Sequence, residues 1–127
     1  NIELLEHGLD TQSLINIYDN HNITILPSFT EGHPHVVDES LSRRRPVIIF
    51  EDIIHVIKDK RGIFVSKRDM NSFSETAKYI IKNYKVIQKE MEKNTLPTRK
   101  NFLEQINKVL INIYRIFKIL FLLLIKK

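Results

Sequence analysis

Apolar residues in the first half of the chain form short unbroken runs separated by segments with helical spacing. The runs lie at residues 23–26, 46–50 and 62–65 and are rich in β-branched side chains. They lack the polar alternation of a half-exposed strand, which is typical of strands buried on both faces of a parallel sheet. Three such strands are therefore predicted.

Helices are predicted between these strands. Asp10 is a good N-cap for a helix over residues 11–18. Pro34 suits the first turn of a helix that ends near Arg44, because its missing N–H would have no intrahelical partner there. Residues 51–58 form a short helix or turn. The alternation of strands and helices predicts an α/β, Rossmann-like fold with an open parallel sheet.

Two longer helices follow the third strand. Ser72 and Glu75 have the spacing of a capping box, and apolar residues then recur every three or four positions up to Met91. Residues 94–97 interrupt this pattern, and a last amphipathic helix begins near Thr98.

Composition and charge limit the possible functions. A chain of 127 residues has room for one domain with a core. The chain has no cysteine, which excludes disulfides, thiol nucleophiles and cysteine-ligated zinc. The net charge is +5, yet the segment before Arg43 contains no Lys or Arg. This distribution argues against a nucleic-acid-binding face along the domain, and no nucleic-acid partner is predicted.

The loop after residue 26 is the first place to look for a site, because open α/β sheets bind ligands at the carboxyl ends of their strands. It contains Gly32, where a backbone can approach a ligand, and the helix N-terminus at Pro34, which suits phosphate. Glu31 and Glu39 are separated by seven residues. Each carboxylate can accept hydrogen bonds from two hydroxyls, as the vicinal diols of ribose or hexose present them.

Residues 26–34 read Leu-Pro-Ser-Phe-Thr-Glu-Gly-His-Pro, and Asp38-Glu39-Ser40 and Arg45-Pro46-Val47-Ile48 follow. This segment resembles the group 1 (family 4) glycosyltransferases of the GT-B fold, whose signature here is PSxxEGxPxxxxEA followed by PVV. A looser resemblance covers about residues 2–114. It implies that residues 1–114 are part of the C-terminal, nucleotide-sugar-binding domain of such an enzyme.

The resemblance also implies a role for each residue of the motif. In the family the first glutamate contacts the donor sugar and the second binds the ribose hydroxyls, which fall here on Glu31, the expected catalytic residue, and Glu39. Backbone amides in the segment from Gly32 to Pro34 would bind the sugar and diphosphate. The expected donor-binding residues are Ser28, Glu31, Gly32, His33, Pro34 and Glu39.

The expected activity is transfer of a sugar, with retention, from a nucleotide-sugar donor to an acceptor hydroxyl. The acceptor, a glycan, lipid or small molecule, is not specified, and neither a cofactor nor a metal is expected. Ser40 replaces the family's alanine, and Arg43 to Arg45 stand where the family often has glycine. The family's upstream basic residues and acceptor domain are not in this chain, so we expect it to be incomplete and inactive alone.

Several alternatives remain open. The chain could be a non-catalytic nucleotide-sugar-binding or partner-binding module of the same fold. His35 and Glu39 stand at i and i+4, as metal ligands often do, but no third ligand has an obvious spacing. A solvated helix cap is favoured over nucleic-acid binding for Arg43 to Arg45.

Residues 115–127 form an apolar, basic tail. Residues 119–125 are wholly apolar, but Arg115 and Lys118 interrupt the stretch and leave less than the ~20 apolar residues of a usual membrane span. The alternatives are peripheral contact with a membrane surface and packing against a missing domain. The expected location is cytoplasmic, with the inner face of a membrane as the alternative.

Overall fold

The structure, a computed structural model, describes the backbone of residues 8–125 and the side chains of residues 8–118. The chain divides into two compact units, Asn1–Thr95 and Leu96–Lys127. The predicted boundary between residues 114 and 115 lies inside the long helix of the second unit. Residues 1–7 of the predicted domain, and the tail's side chains from residue 119 onward, lie outside the described part.

Three parallel strands form the sheet of the first unit. They are β1 (Thr24–Leu26), β2 (Val47–Phe50) and β3 (Ile63–Ser66), and their order in space is β1-β2-β3. Each strand is followed along the chain by a helix. The prediction of an α/β fold with a small, open, parallel sheet, compatible with a Rossmann-like arrangement, is thereby confirmed.

Burial differs between the central and the outer strands. Ile48 of β2 is in register with Ile25 of β1 and Phe64 of β3. Val47, Ile48 and Ile49 are fully buried, whereas Ile25 is 37% exposed. The prediction of burial on both faces is therefore right for β2 and wrong for β1, because β1 is an edge of the described sheet.

The first helices begin where their capping residues predict. Asp10 accepts hydrogen bonds from two backbone N–H groups of α1 (Thr11–Asn20), at 2.9 and 3.0 Å. The second helix, α2 (His35–Ser42), starts directly after Pro34, and a 3-10 helix spans Glu51–Val56. Both the Asp10 cap and the position of Pro34 are confirmed.

The long helix predicted up to Met91 is two helices, α3 (Met70–Lys82) and α4 (Tyr84–Met91). The predicted capping box at Ser72 is wrong, because Asp69 caps α3 by accepting from the Ser72 N–H at 2.8 Å. Asn83 separates the helices and donates through Nδ2 to the carbonyl four residues earlier, at 2.8 Å. Such a side chain competes with the backbone for helical hydrogen bonds.

The core lies where α2 packs on β1 and β2 and α3 packs on β3. Burying one aliphatic side chain here stabilises the fold by roughly 1.5–3 kcal/mol. The most deeply buried aliphatic side chains of the described residues are Val37, Leu41, Val47, Ile48, Ile49, Ile53 and Ile80.

The three consecutive arginines join elements that are distant in sequence. Arg43 donates to the Asp19 carboxylate at 2.8 Å, and Arg44 forms an ion pair with Glu92 at 2.6 Å. Arg45 is half-buried and donates to two carbonyl oxygens at the end of α1, at 2.7 and 2.8 Å. The prediction of a solvated cap is confirmed for Arg43, the exposed C-cap of α2, and Arg44 is exposed as well, whereas Arg45 is half-buried.

Gly62 precedes β3 in a backbone conformation that favours glycine, with φ +91°. A Cβ atom at this position would also lie 2.6 Å from Cγ of Met91. Both the conformation and the close approach of α4 therefore require glycine here.

The second unit contains α5 (Arg99–Ile125), which confirms the helix predicted from about Thr98. Within the described residues, no helix has the combination of length and apolar character needed to cross a membrane.

Candidate functional site

The loop between β1 and α2 lies at the carboxyl end of the sheet and is held by its own side chains and by the 3-10 helix. Ser28 Oγ donates to the carbonyl oxygen of Thr30 at 2.9 Å. His55 Nε2 lies 2.7 Å from the carbonyl oxygen of Glu31, so this ring nitrogen donates. Hydrogen bonds from these two side chains to main-chain carbonyl groups thus fix the segment that carries Glu31.

Arg68 connects the carboxyl ends of all three strands. It follows β3 and donates to the carbonyl oxygens of Pro27 and Ser28, just after β1, at 3.1 and 2.5 Å. Its Nε also donates to Oδ2 of Asp52, just after β2, at 2.7 Å. One side chain therefore fixes the start of the loop relative to the rest of the sheet edge.

Two aromatic rings cover the same guanidinium group. The Arg68 Cζ lies 3.7 Å from the ring centroid of Phe29 and 4.6 Å from that of Phe50. Phe29 is 71% exposed, whereas Phe50 stacks on Phe73 with centroids 6.5 Å apart. Phe29 is therefore held at the surface of the loop by its contact with a cation.

A pocket opens beside the N-terminus of α2. Its cavity volume is about 10 Å³, so a ligand larger than a water molecule would lie at its open mouth. The first N–H groups of a helix have no intrahelical acceptor and carry a partial positive charge, which suits an anion. The side chains of Lys58 and Lys60 add charge to the same pocket. The lining residues are Gly32, His33, Pro34, Val37, Val56, Lys58 and Lys60.

Asp38 on α2 contacts two residues that line this pocket. Lys60 donates to its Oδ1, and His33 Nε2 lies 3.2 Å from its Oδ2. Oδ2 is buried and accepts no hydrogen bond of good geometry from the described residues. Asp38 therefore holds Lys60 and His33 beside the pocket.

Glu39 contacts α1. Oε2 of Glu39 accepts a hydrogen bond from the Tyr18 hydroxyl at 3.1 Å. Burial, and then the neighbouring Glu39 charge, raise the pKa of Tyr18 above its ordinary value of 10.0, so the hydroxyl stays protonated. This contact fixes the half-buried carboxylate, which has further lone pairs for other donors.

Ser40, which replaces the alanine of the resembled motif, has a structural role. Its hydroxyl is fully buried, donates to the Arg45 carbonyl oxygen at 3.0 Å and lies 2.7 Å from the Thr24 hydroxyl. It thereby ties α2 to the start of β1. This departure leaves the residues of the loop unchanged.

The fold favours glycine at position 62 but does not require it at position 32. The φ of Gly32 lies outside the range that favours glycine, and among the described atoms nothing lies within 4 Å of a Cβ built on it. A side chain would therefore project into the space beside the pocket, where a ligand would lie.

The structure brings together some of the predicted residues. Gly32, His33 and Pro34 share one pocket, whereas the Glu39 carboxylate contacts Tyr18 and the Ser28 hydroxyl stays within the loop. Within the described residues, no three His, Asp or Glu side chains form a group that could hold a metal ion.

Sequence reasoning missed several residues of the site, which are Asp38, Asp52, His55, Lys58, Lys60 and Arg68. The sequence offers one signal for Arg68 and Asp52. Each lies two residues after the end of a strand, at the edge of the sheet where ligands bind. The contacts of Lys60 and His55 with α2 and the loop depend on tertiary packing.

Compared with protein-family models, with curated proteins and with solved structures, the chain has no match. Its function is therefore inferred from its own residues and from the motif of residues 26–48.

Proposed function

We propose that this chain supplies the donor-binding part of a retaining, metal-independent glycosyltransferase of the GT-B type. In this proposal the donor is a nucleotide-sugar, and a second domain brings the acceptor hydroxyl to the cleft. The observation that carries the proposal is the basic pocket at the N-terminus of α2, directly after a loop that carries the motif at the carboxyl end of the sheet.

The open mouth of the pocket suits the diphosphate of such a donor. Helix N–H groups, Lys58 and Lys60 all favour negative charge there, and His33 lies beside them. Gly32 leaves space for close approach of the ligand to the backbone. The diphosphate would then lie between the donor sugar on one side and the nucleoside on the other.

The two glutamates would bind the two ends of the donor. Glu31 lies in the loop, where its backbone is fixed by His55, and would contact the hydroxyls of the transferred sugar. Glu39 is held by Tyr18 and would accept from the ribose hydroxyls. Retention follows, in the resembled family, when an oxygen of the leaving diphosphate assists the incoming acceptor hydroxyl.

One observation favours the second candidate, a non-catalytic nucleotide-sugar-binding module. Two cations near the loop already have carboxylate partners, since Lys60 pairs with Asp38 and Arg68 with Asp52. A leaving diphosphate is stabilised best by cations whose charge is not already neutralised. Donor binding without turnover, measured with the acceptor domain present, would favour this candidate.

Glu39→Gln separates a ligand role from a structural one. The amide oxygen of glutamine can still accept from Tyr18, so the free energy of unfolding should change little. Loss of the charged acceptor should weaken nucleotide binding by about 1–3 kcal/mol, measured by titration calorimetry. Glu75→Ala, at an exposed position on α3, is the matched control.

Glu31→Ala should weaken binding of a nucleotide-sugar and leave that of the bare nucleotide nearly unchanged. The reverse pattern would show that the two glutamates have exchanged roles. Parent, Glu31→Ala and Glu39→Gln proteins with equal affinity for every donor would refute the proposed site.

A further inference from the structure

The helix α5 exposes a large apolar surface. All side chains from residue 101 to residue 118 are exposed. The large apolar side chains among them are between 38% and 69% exposed. They are Phe102, Leu103, Ile106, Val109, Leu110, Ile111, Ile113, Tyr114, Ile116 and Phe117.

These apolar residues lie mainly on one side of the helix. At 3.6 residues per turn, all of them except Ile111 project onto an arc of about 160°. The opposite side carries Lys100, Lys108, Arg115 and Lys118, together with Glu104. Such an arc is wider than the narrow seam of a coiled coil and has the width of a helix that lies flat on an apolar layer.

The positive charge of the chain is concentrated in this unit. Residues 96–127 contain seven Lys or Arg and one Glu, a net charge of +6, whereas residues 1–95 contain thirteen and fourteen, a net charge of −1. These two values account for the +5 of the whole chain. The helix α5, with an apolar face and basic residues opposite it, is complementary to a surface whose outer layer is anionic and whose interior is apolar.

We propose that α5 binds the surface of an anionic lipid bilayer and lies in its interface. The apolar arc would enter the boundary between headgroups and acyl chains, and the basic side chains would reach the lipid phosphates. A second copy of the chain is a poorer partner, because two copies of residues 96–127, each with net charge +6, would repel each other. Lys108, Arg115 and Lys118 interrupt the apolar sequence and keep the helix axis in the plane of the surface.

The first test is flotation of the full chain with vesicles, without any nucleotide-sugar, so that the result is independent of the proposed enzymatic function. Vesicles of neutral phosphatidylcholine are compared with vesicles that also contain phosphatidylglycerol as roughly a third of the lipid. The parent protein should bind the anionic vesicles at least about 10-fold more tightly, and added salt should weaken this binding.

Two neighbouring substitutions separate the apolar contact from the charge. Ile113→Asp and Asn112→Asp each lower the net charge by one, but Ile113 lies in the apolar arc and Asn112 on the opposite side. Ile113→Asp should weaken vesicle binding by at least about 10-fold and Asn112→Asp by about fivefold or less. The double variant Lys108→Gln/Arg115→Gln should weaken it on the order of 20-fold.

A spectroscopic readout covers the case in which an aspartate lowers the helix content. The chain has no tryptophan, so Phe117→Trp adds a unique fluorophore to the apolar arc and Asn112→Trp one to the opposite side. With anionic vesicles, emission of the first variant should shift to shorter wavelength and become protected from acrylamide, with a smaller effect for the second.

Three outcomes of the vesicle experiments would overturn the proposal. These are no binding of the parent to anionic vesicles, equal losses for Ile113→Asp and Asn112→Asp, and equal emission shifts for the two tryptophan variants. A dimer in size-exclusion chromatography that Ile113→Asp dissociates would assign the apolar arc to a second copy and would also overturn it.

Discussion

Replacing Arg68 with alanine should destabilise the loop that carries the proposed donor site. The substitution removes the hydrogen bonds to the carbonyl oxygens of Pro27 and Ser28, the contact with Asp52 and the stacking on Phe29. Because these contacts join the ends of all three strands, their loss should affect both the free energy of unfolding and the order of the loop.

The magnitude follows from the exposure of these contacts. The Arg68–Asp52 pair is 29% and 38% exposed, so its contribution is about 0.5–1 kcal/mol. The two carbonyl contacts are also exposed and should contribute about 0.5–1 kcal/mol each, and the stacking about 0.5–1 kcal/mol. These values are not additive for one shared side chain, so we expect a loss of about 2 kcal/mol.

Urea denaturation and thermal melting measure this loss. In a unit of this size, 2 kcal/mol corresponds to a decrease of Tm by about 10 °C. Arg68→Lys keeps the charge but cannot reproduce the planar contacts, so it should recover less than half of the loss. Arg61→Ala, which removes an exposed ion pair with Glu90, is the control and should cost about 0–1 kcal/mol.

Amide hydrogen exchange provides the local readout. Residues 28–33 should exchange faster in Arg68→Ala, while β2 keeps its protection relative to global unfolding. An Arg68→Ala protein that matched Arg61→Ala in stability and in loop exchange would refute the assigned role of Arg68.

Three further predictions concern the glycines and an exposed carboxylate. Gly62→Ala should lower the free energy of unfolding by about 1–3 kcal/mol, because alanine at φ +91° is strained and its Cβ meets Met91. An unchanged urea midpoint would contradict this. Gly32→Ala should change that free energy by less than about 0.5 kcal/mol but weaken nucleotide-sugar binding; equal affinity in a parallel titration would remove Gly32 from the site. The hydrogen bond and charge of Arg43 hold the pKa of Asp19 below its ordinary value of 3.8. The contribution of the Asp19 carboxylate to stability is therefore present above pH 3.8 and is lost as the pH falls through the lowered pKa. In melts from about pH 5 to about pH 2, Asp19→Asn should lose less stability than the parent, and identical profiles would contradict the pairing.

The elements that the sequence predicts correctly depend on local signals. The β-branched run that forms β2, the Asp10 cap and the helix start at Pro34 each depend on a few neighbouring residues. The site loop was also predictable, because a strand followed by glycine, proline and a helix places the loop at the carboxyl end of a sheet.

The features that sequence reasoning missed depend on distant partners. In the sequence, Ile25 belongs to an apolar run that is typical of a strand covered on both faces. Its exposure in the fold depends on the position of β1 at the edge of the described sheet. The two carbonyl groups bound by Arg68 lie some forty residues before it in the chain. Periodicity cannot identify such partners, because it carries no information about which elements are neighbours in space.

The measurement that tests the central claim most directly is a titration of the ¹⁵N-labelled chain with UDP-, GDP- and ADP-sugars, followed by amide chemical shifts. Binding at the proposed site should shift the signals of Gly32, His33 and His35, whereas Pro34 has no amide signal. A separate groove lies between β3 and the helices α3 and α4 and is lined by Phe64, Tyr79 and Val86. No shift with any donor, or shifts confined to this groove, would contradict the assignment of the loop as the donor site.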